Sequence, residues 1–172
     1  LALVAACGGD RGGGGGVDDG GGAAPAAPIE ATDARGVVAR IAAHRGEPVL
    51  VNFWATWCAP CLAELPDLMA GPRAFRARGG VVLGVAMEQM GLDLTDAEAV
   101  AKATAKAREL GLDFANVVCT TDDMVAVREV LGVELGGLPQ TLVYDRAGAL
   151  VEQHEGMATK DEFAALAAAA ER

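Results

Sequence analysis

From residue 29 onward, apolar positions alternate between helical spacing and short continuous runs. Val37, Val38, Ile41 and Ala42 recur at helical spacing and stop at Arg45-Gly46, which predicts a helix over 32–44. Pro48 then opens a new element, and the run VLVNFW at 49–54 reads as a strand buried on both faces and therefore central. Leu62, Leu65, Leu68 and Met69 share one helical face, with a stop expected near Gly71-Pro72. A second buried strand is predicted at 81–86, followed by a long Ala- and charge-rich helix over 93–110 begun by a Thr or Asp cap. Residues 115–119 form a third strand, and Thr121-Asp122-Asp123 can cap a helix running to Leu131. Segments 140–145 and 149–154 flank the turn Arg146-Ala147-Gly148 as a hairpin, and a helix over 159–170 closes the chain. Strands that alternate with helices and end in a hairpin imply an α/β domain with a mixed sheet and helices on both faces.

The pattern is different before residue 29. Residues 1–7, LALVAAC, are apolar and far too short to span a bilayer, and they read as the trimmed end of an export signal. The stretch Val4-Ala5-Ala6-Cys7 resembles a bacterial lipobox, which makes Cys7 a lipid-attachment candidate. Residues 8–28 are mostly glycine and then AAPAAP, a composition that cannot build a packed core. As a Gly-rich chain this segment would span about 25 Å r.m.s., enough to hold a domain clear of a lipid surface. The expected organisation is therefore signal remnant and lipobox over 1–7, tether over 8–28 and one domain over 29–172.

Charge and cysteine usage narrow the function. A formal net charge of −10 argues against a nucleic-acid partner, which would require clustered Lys and Arg. The four cysteines, Cys7, Cys58, Cys61 and Cys119, do not have the density of a secreted disulfide scaffold, but two of them form a C-x-x-C pair. That pair follows a buried strand and opens a helix, one turn apart at the positive end of the helix dipole. Free amide N–H groups there favour a thiolate at Cys58, the expected nucleophile. Cys61, one turn further in, is the expected resolving thiol that releases the reduced partner from a mixed disulfide. Pro60 suits a first helical turn, where a missing N–H costs nothing. Two alternatives stay open on residues alone: an inert structural disulfide, and half of a zinc site. For zinc, the remaining ligand types Cys119, His44 and His154 are scattered, so no metal is assigned.

The run VLVNFWATWCAPCLAELP resembles the active-site segment of the TlpA/ResA-like branch of the thioredoxin superfamily, and GLPQTLVYDRAG resembles that branch's second signature. Both occur in the order the family has them, over about 32–172. The resemblance implies a thioredoxin fold with an inserted helix between strands. It also implies that Trp57 packs beside the dithiol and shields it, and that Pro139 is the cis-proline lying against the C-x-x-C. A cis bond there would leave the Leu138 backbone free to pair with an extended substrate strand. Glu64 matches a glutamate that the branch often keeps near the dithiol, where it could shuttle a proton. Asn52 stands where thioredoxins proper carry a buried aspartate. Pro66 matches a proline inside the active-site helix and is expected to kink it.

Three functional readings follow. The first is an extracytoplasmic, lipid-anchored, monomeric thiol–disulfide oxidoreductase without a cofactor. It would exchange disulfides with protein partners, be recharged by an upstream thiol reductant in the membrane or in solution, and act mostly as a reductant of the cytochrome c maturation type. The second is a peroxiredoxin, whose P-x-x-x-T-x-x-C would want proline where the chain has Val51. The third, from another class, is a docking or copper-delivery module. The related Sco proteins use C-x-x-x-C, which this sequence lacks, and His154 is read as a surface or strand-edge histidine. Cys119 is read as a small buried hydrophobe, and the segment 87–111 as shaping partner choice.

Overall fold

The computed structural model describes residues 28–172, so the lipobox, Cys7 and most of the tether lie outside the described residues. Twelve elements follow one another: β1 (Glu30–Thr32), α1 (Ala34–Ala43), β2 (Val49–Trp54), α2 (Ala59–Ala70), α3 (Arg73–Ala77), β3 (Val81–Ala86), α4 (Asp96–Leu110), β4 (Ala115–Cys119), α5 (Met124–Leu131), β5 (Gln140–Tyr144), β6 (Leu150–Glu155) and α6 (Lys160–Ala169). The six strands form one mixed sheet in the order β1-β4-β3-β2-β5-β6. Strands β1 to β4 run parallel, and β5 and β6 are antiparallel to their neighbours.

Strand β2 is central and every one of its residues is buried, as its run, apolar except for Asn52, requires. Its residues alternate between two cores. Leu50 and Trp54 meet Leu65, Leu68, Phe75, Ala99, Ala103, Phe163 and Leu166, so α2, α3, α4 and α6 cover that face. Val49, Val51 and Phe53 meet Val37, Ile41, Val127 and Leu142, which places α1 and α5 on the other.

Several boundaries move from their sequence expectation for local reasons. The first helix begins at Ala34 rather than 32, because Asp33 is its cap and accepts the Gly36 N–H at 2.8 Å. Thr32 belongs instead to β1, an edge strand that the sequence did not announce and that pairs with β4 through Thr32 opposite Cys119. The long helix begins at Asp96, three residues later than expected, where Thr95 and Glu98 form a capping box. The five-residue α3 was also unforeseen. Helix α2 runs to Ala70 through Pro66.

Candidate functional site

The site forms where β2 ends. Trp54 is opposite Ala86 in the β2–β3 ladder, and the chain then turns through Ala55, Thr56 and Trp57 into Cys58. Cys58 is the N-cap of α2, extended at φ −92° and ψ 96°, and its Sγ accepts the Cys61 N–H at 3.3 Å. Cys58 and Cys61 are joined as a disulfide with Cα atoms 5.3 Å apart, within the ordinary range for such bridges. Cys58 retains 6% exposure and Cys61 none, so an incoming sulfur reaches the first before the second. Pro60 lies in the first turn, where no helical hydrogen bond is lost.

The turn before Cys58 is anchored by a residue that sequence reasoning missed. Glu88 is fully buried two residues past β3, and its carboxylate accepts the Thr56 N–H at 2.7 Å and the Thr56 hydroxyl at 2.6 Å. The Glu88 carbonyl accepts the Trp57 indole N–H at 3.4 Å. Trp57 is 43% exposed, so its ring is not part of the core. The signal for Glu88 was available only through register: Trp54 and Ala86 are paired, so the residues two positions beyond each meet.

Glu64 is not a solvent-facing helical glutamate. It is 1% exposed, on the same face of α2 as Cys61 and one turn further on. One carboxyl oxygen accepts from Asn52 Nδ2 and the other from the Ala158 N–H, each at 2.8 Å. Burial raises its pKa above the ordinary carboxylate value. The Ala158 and Asn52 hydrogen bonds and the charge of His154 oppose the rise, and Asp67 adds to it. Asn52 also donates to Thr141 Oγ1 at 3.1 Å.

The Leu138–Pro139 peptide bond is cis, directly before β5. Gln140 pairs with Phe53 near the end of β2, the strand that leads into the C-x-x-C segment, and Leu138 packs against both cores. The Pro139 carbonyl accepts the Gly156 N–H at 3.0 Å, and Ala158, two residues on, reaches Glu64. One short segment between β6 and α6 thus ties the proline loop to the buried carboxyl. Met157 lies within that segment and is 57% exposed.

The remaining sequence candidates are elsewhere. Cys119 is buried at the end of β4, where burial pushes its thiol pKa up and hydrogen bonding to Thr121 opposes the rise, an environment that disfavours the thiolate. His154 is on edge strand β6. Among the described residues no group of three or more His, Cys, Asp or Glu side chains is arranged to hold a metal, and no helix is long and apolar enough to cross a membrane.

Known proteins resemble the chain in sequence and in fold. The chain is 28% identical over 132 residues to the thiol-disulfide oxidoreductase ResA of Geobacillus kaustophilus, covering 77% of this chain and 68% of that protein. In fold it resembles a thiol:disulfide interchange protein of Chlorobium tepidum, with a TM-score of 0.59, 23% identity and coverage of 75% and 83% of the two chains. It also resembles a secreted thiol-disulfide isomerase of Corynebacterium glutamicum, with a TM-score of 0.57, 22% identity and coverage of 74% and 72%. Residues 21–153 match the AhpC/TSA family, and with its thioredoxin-like sheet and C-x-x-C pair the chain belongs to that family.

Proposed function

We propose that this thiol–disulfide oxidoreductase works outside the cytoplasm, held at a membrane by lipid on Cys7, and reduces disulfides of protein partners. The observation that carries the proposal is the Cys58–Cys61 disulfide at the start of α2, with Glu64 buried one turn behind it. The glycine-rich segment over 8–28 supports a tethered position. A reductant role in cytochrome c maturation is the form that the resemblance to the TlpA/ResA-like branch favours.

The chemistry follows from the geometry. In the reduced protein the Cys58 thiolate, at the helix N-terminus, attacks one sulfur of a partner disulfide; the S–S bond breaks and the other partner sulfur leaves as a thiolate. Cys61 loses its proton and attacks Cys58 Sγ in the mixed disulfide, which re-forms the Cys58–Cys61 bond and expels the second partner thiolate. Glu64 is placed to take the Cys61 proton, and the two partner thiolates are protonated from solvent. Two electrons pass from the protein dithiol to the partner, and an upstream dithiol returns them. Trp57 and the Leu138–Pro139 backbone flank Cys58 as the surface on which the partner strand rests.

The test is insulin reduction and redox titration of the full chain. Cys58→Ser should abolish exchange, and Cys61→Ser should accumulate a mixed disulfide with the substrate. Titration against glutathione should give a potential nearer about −270 than about −120 mV, the span of such motifs. A potential at the oxidising end, or exchange that survives Cys58→Ser, would reject the role. Release of the protein from membranes after Cys7→Ser checks the anchor.

A further inference from the structure

Across the α2-covered face of the sheet runs a row of three polar residues in register: Asn52 on β2 is opposite Thr141 on β5, and Thr141 is opposite His154 on β6. Helix α2 lays Glu64 over this row, and Asn52 Nδ2 links Glu64 to Thr141. Two atoms of the row, Asn52 Oδ1 and His154 Nε2, are buried without a hydrogen-bond partner among the described residues, which is uncommon enough to need an explanation. His154 is the member that also reaches outward. Its residue is half-buried, and it lines an open cavity of about 300 Å³ with Glu152, Glu162, Leu166 and Arg172. The imidazole therefore has one nitrogen buried at the row and an open cavity beside it, and its charge lowers the pKa of both Glu64 and Glu162.

Glu64 itself is bonded to no proton acceptor. Its two oxygens face only N–H donors, from Asn52 and Ala158, neither of which can accept a proton. The oxidative half of each cycle leaves it holding the proton released by Cys61, and the reductive half must return one to Cys61. In the row beyond Asn52, histidine is the one side chain that both accepts and donates a proton at separate nitrogens.

We propose that His154 is the proton port of the redox site, passing protons between buried Glu64 and the solvent cavity beside α6. The proposal rests on thiol exchange at Cys58–Cys61 and on Glu64 as acceptor. Nε2, which no other group occupies, receives the Glu64 proton and Nδ1 gives its own to water while the site is oxidised; on reduction the path runs in reverse, returning a proton to Cys61 and restoring the first tautomer, and no electrons move in this step. His154 is a positioning and relay residue, since it does not touch the sulfurs. The charged groups around it are Glu152 on its own strand, Glu162 on α6 and Arg172 just beyond it, which share its cavity, and Glu64 on α2, whose carboxyl feels its charge; Asp67 on α2 acts on Glu64. Asp67, one turn beyond Glu64, is the competing outlet.

The experiment measures disulfide exchange by the full chain carrying His154→Ala, His154→Gln or Asp67→Asn, with and without added imidazole, alongside the urea midpoint of each variant. His154→Ala should slow exchange about tenfold and recover when free imidazole is supplied, because the base is returned while the fold is unchanged. His154→Gln, which keeps a polar side chain in the row, should be slowed without recovery if no space is opened for imidazole. Exchange at the parental rate in both His154 variants would overturn the port, as would a loss in His154→Ala that imidazole does not restore, or a loss confined to Asp67→Asn. Failure of the underlying reading looks different: exchange would then persist in Cys58→Ser or be indifferent to Glu64→Gln.

Discussion

Removing the Glu88 carboxyl should loosen the turn that presents Cys58, and the structure sets the size of the effect. Both carboxylate oxygens are used, one on the Thr56 N–H at 2.7 Å and one on the Thr56 hydroxyl at 2.6 Å. In Glu88→Ala the hydroxyl can rotate toward another acceptor, but the part-buried N–H cannot. An unsatisfied buried donor costs about 1–3 kcal/mol, and each hydrogen bond to a carboxylate is worth about 1.5–3 kcal/mol. Against this stands the relief of no longer burying a carboxylate, several kcal/mol in magnitude. The net expectation is a loss of about 2–3 kcal/mol in urea unfolding of the oxidised protein. Thr56→Val removes only the hydroxyl and should cost about 1 kcal/mol, so the double variant should fall short of the sum. Because a misplacement of about 1 Å can cost up to about 10²-fold in rate, exchange should slow by more than the unfolded fraction explains. If Glu88→Ala unfolds within about 0.5 kcal/mol of the parent and exchanges at the parental rate, the carboxylate does not hold the turn.

Other perturbations have distinct signatures. Arg76 on α3 donates from Nη1 and Nη2 to the two oxygens of Asp113 at 2.7 and 2.6 Å, a bidentate pair about one quarter exposed on each side, with side-chain values of 26% and 28%. Its hydrogen bonds hold the Asp113 carboxyl below the usual range while burial opposes, so the pair stabilises above the ordinary carboxylate pKa and the benefit is lost as pH falls through the lowered value. Arg76→Met should cost about 1–2 kcal/mol at neutral pH and much less in acid, as read from urea midpoints. For Glu64 the sign is opposite. Its raised pKa gives stability that is present below the ordinary value of 4.5 and lost as pH rises through the raised one, so Glu64→Gln should flatten that slope; parallel slopes in the two proteins would refute it. Gly84→Ala would place a Cβ 1.9 Å from Asn116 Oδ1, the acceptor of the Trp54 indole N–H. It should destabilise by about 1–3 kcal/mol and shift tryptophan fluorescence; an unchanged spectrum would show that Asn116 can yield.

What was readable in the sequence follows from where each signal resides. Strands β2, β3 and β4 were legible to the residue, because burial on both faces leaves short runs that are apolar but for Asn52 in β2 and Asn116 in β4. Strand β1 was invisible, since Glu30-Ala31-Thr32 carries no apolar alternation and is a strand only because β4 offers an edge. The C-x-x-C pair was legible for the same reason as β2: a buried strand running into an apolar-faced helix fixes where the sulfurs stand. Glu64 was visible as a position but not as an environment. Its place on the Leu65 and Leu68 side of α2 was ambiguous until α6 and the Ala158 N–H closed over it. Glu88 and His154 acquire meaning only through strand register. A glutamate two residues past a strand reads as loop, and a histidine on an exposed hairpin reads as surface, until β2–β3 and β5–β6 pairing sets them against Thr56 and Thr141.

Two buried carboxyls therefore flank one disulfide, and their surroundings divide the work between them. Glu88 is bonded to the turn itself, through the Thr56 backbone and hydroxyl, so its effect is on where Cys58 stands. Glu64 is bonded to partners outside the turn, Asn52 on β2 and Ala158 after β6. Its effect is on the proton that Cys61 must lose, and its route to water runs along the sheet rather than through the sulfurs. This separation keeps the dithiol shielded while protons move. A partner seated over Trp57 and Leu138 would cover Cys58, but the cavity lined by His154 lies between β6 and α6, beyond the strand edge. Proton exchange could then continue with a partner docked. Exchange measured with a large protein substrate should accordingly respond to His154→Ala as strongly as exchange with a short disulfide peptide. A defect seen only with the large protein substrate would mean that, with the docking face uncovered, the proton leaves through that face instead.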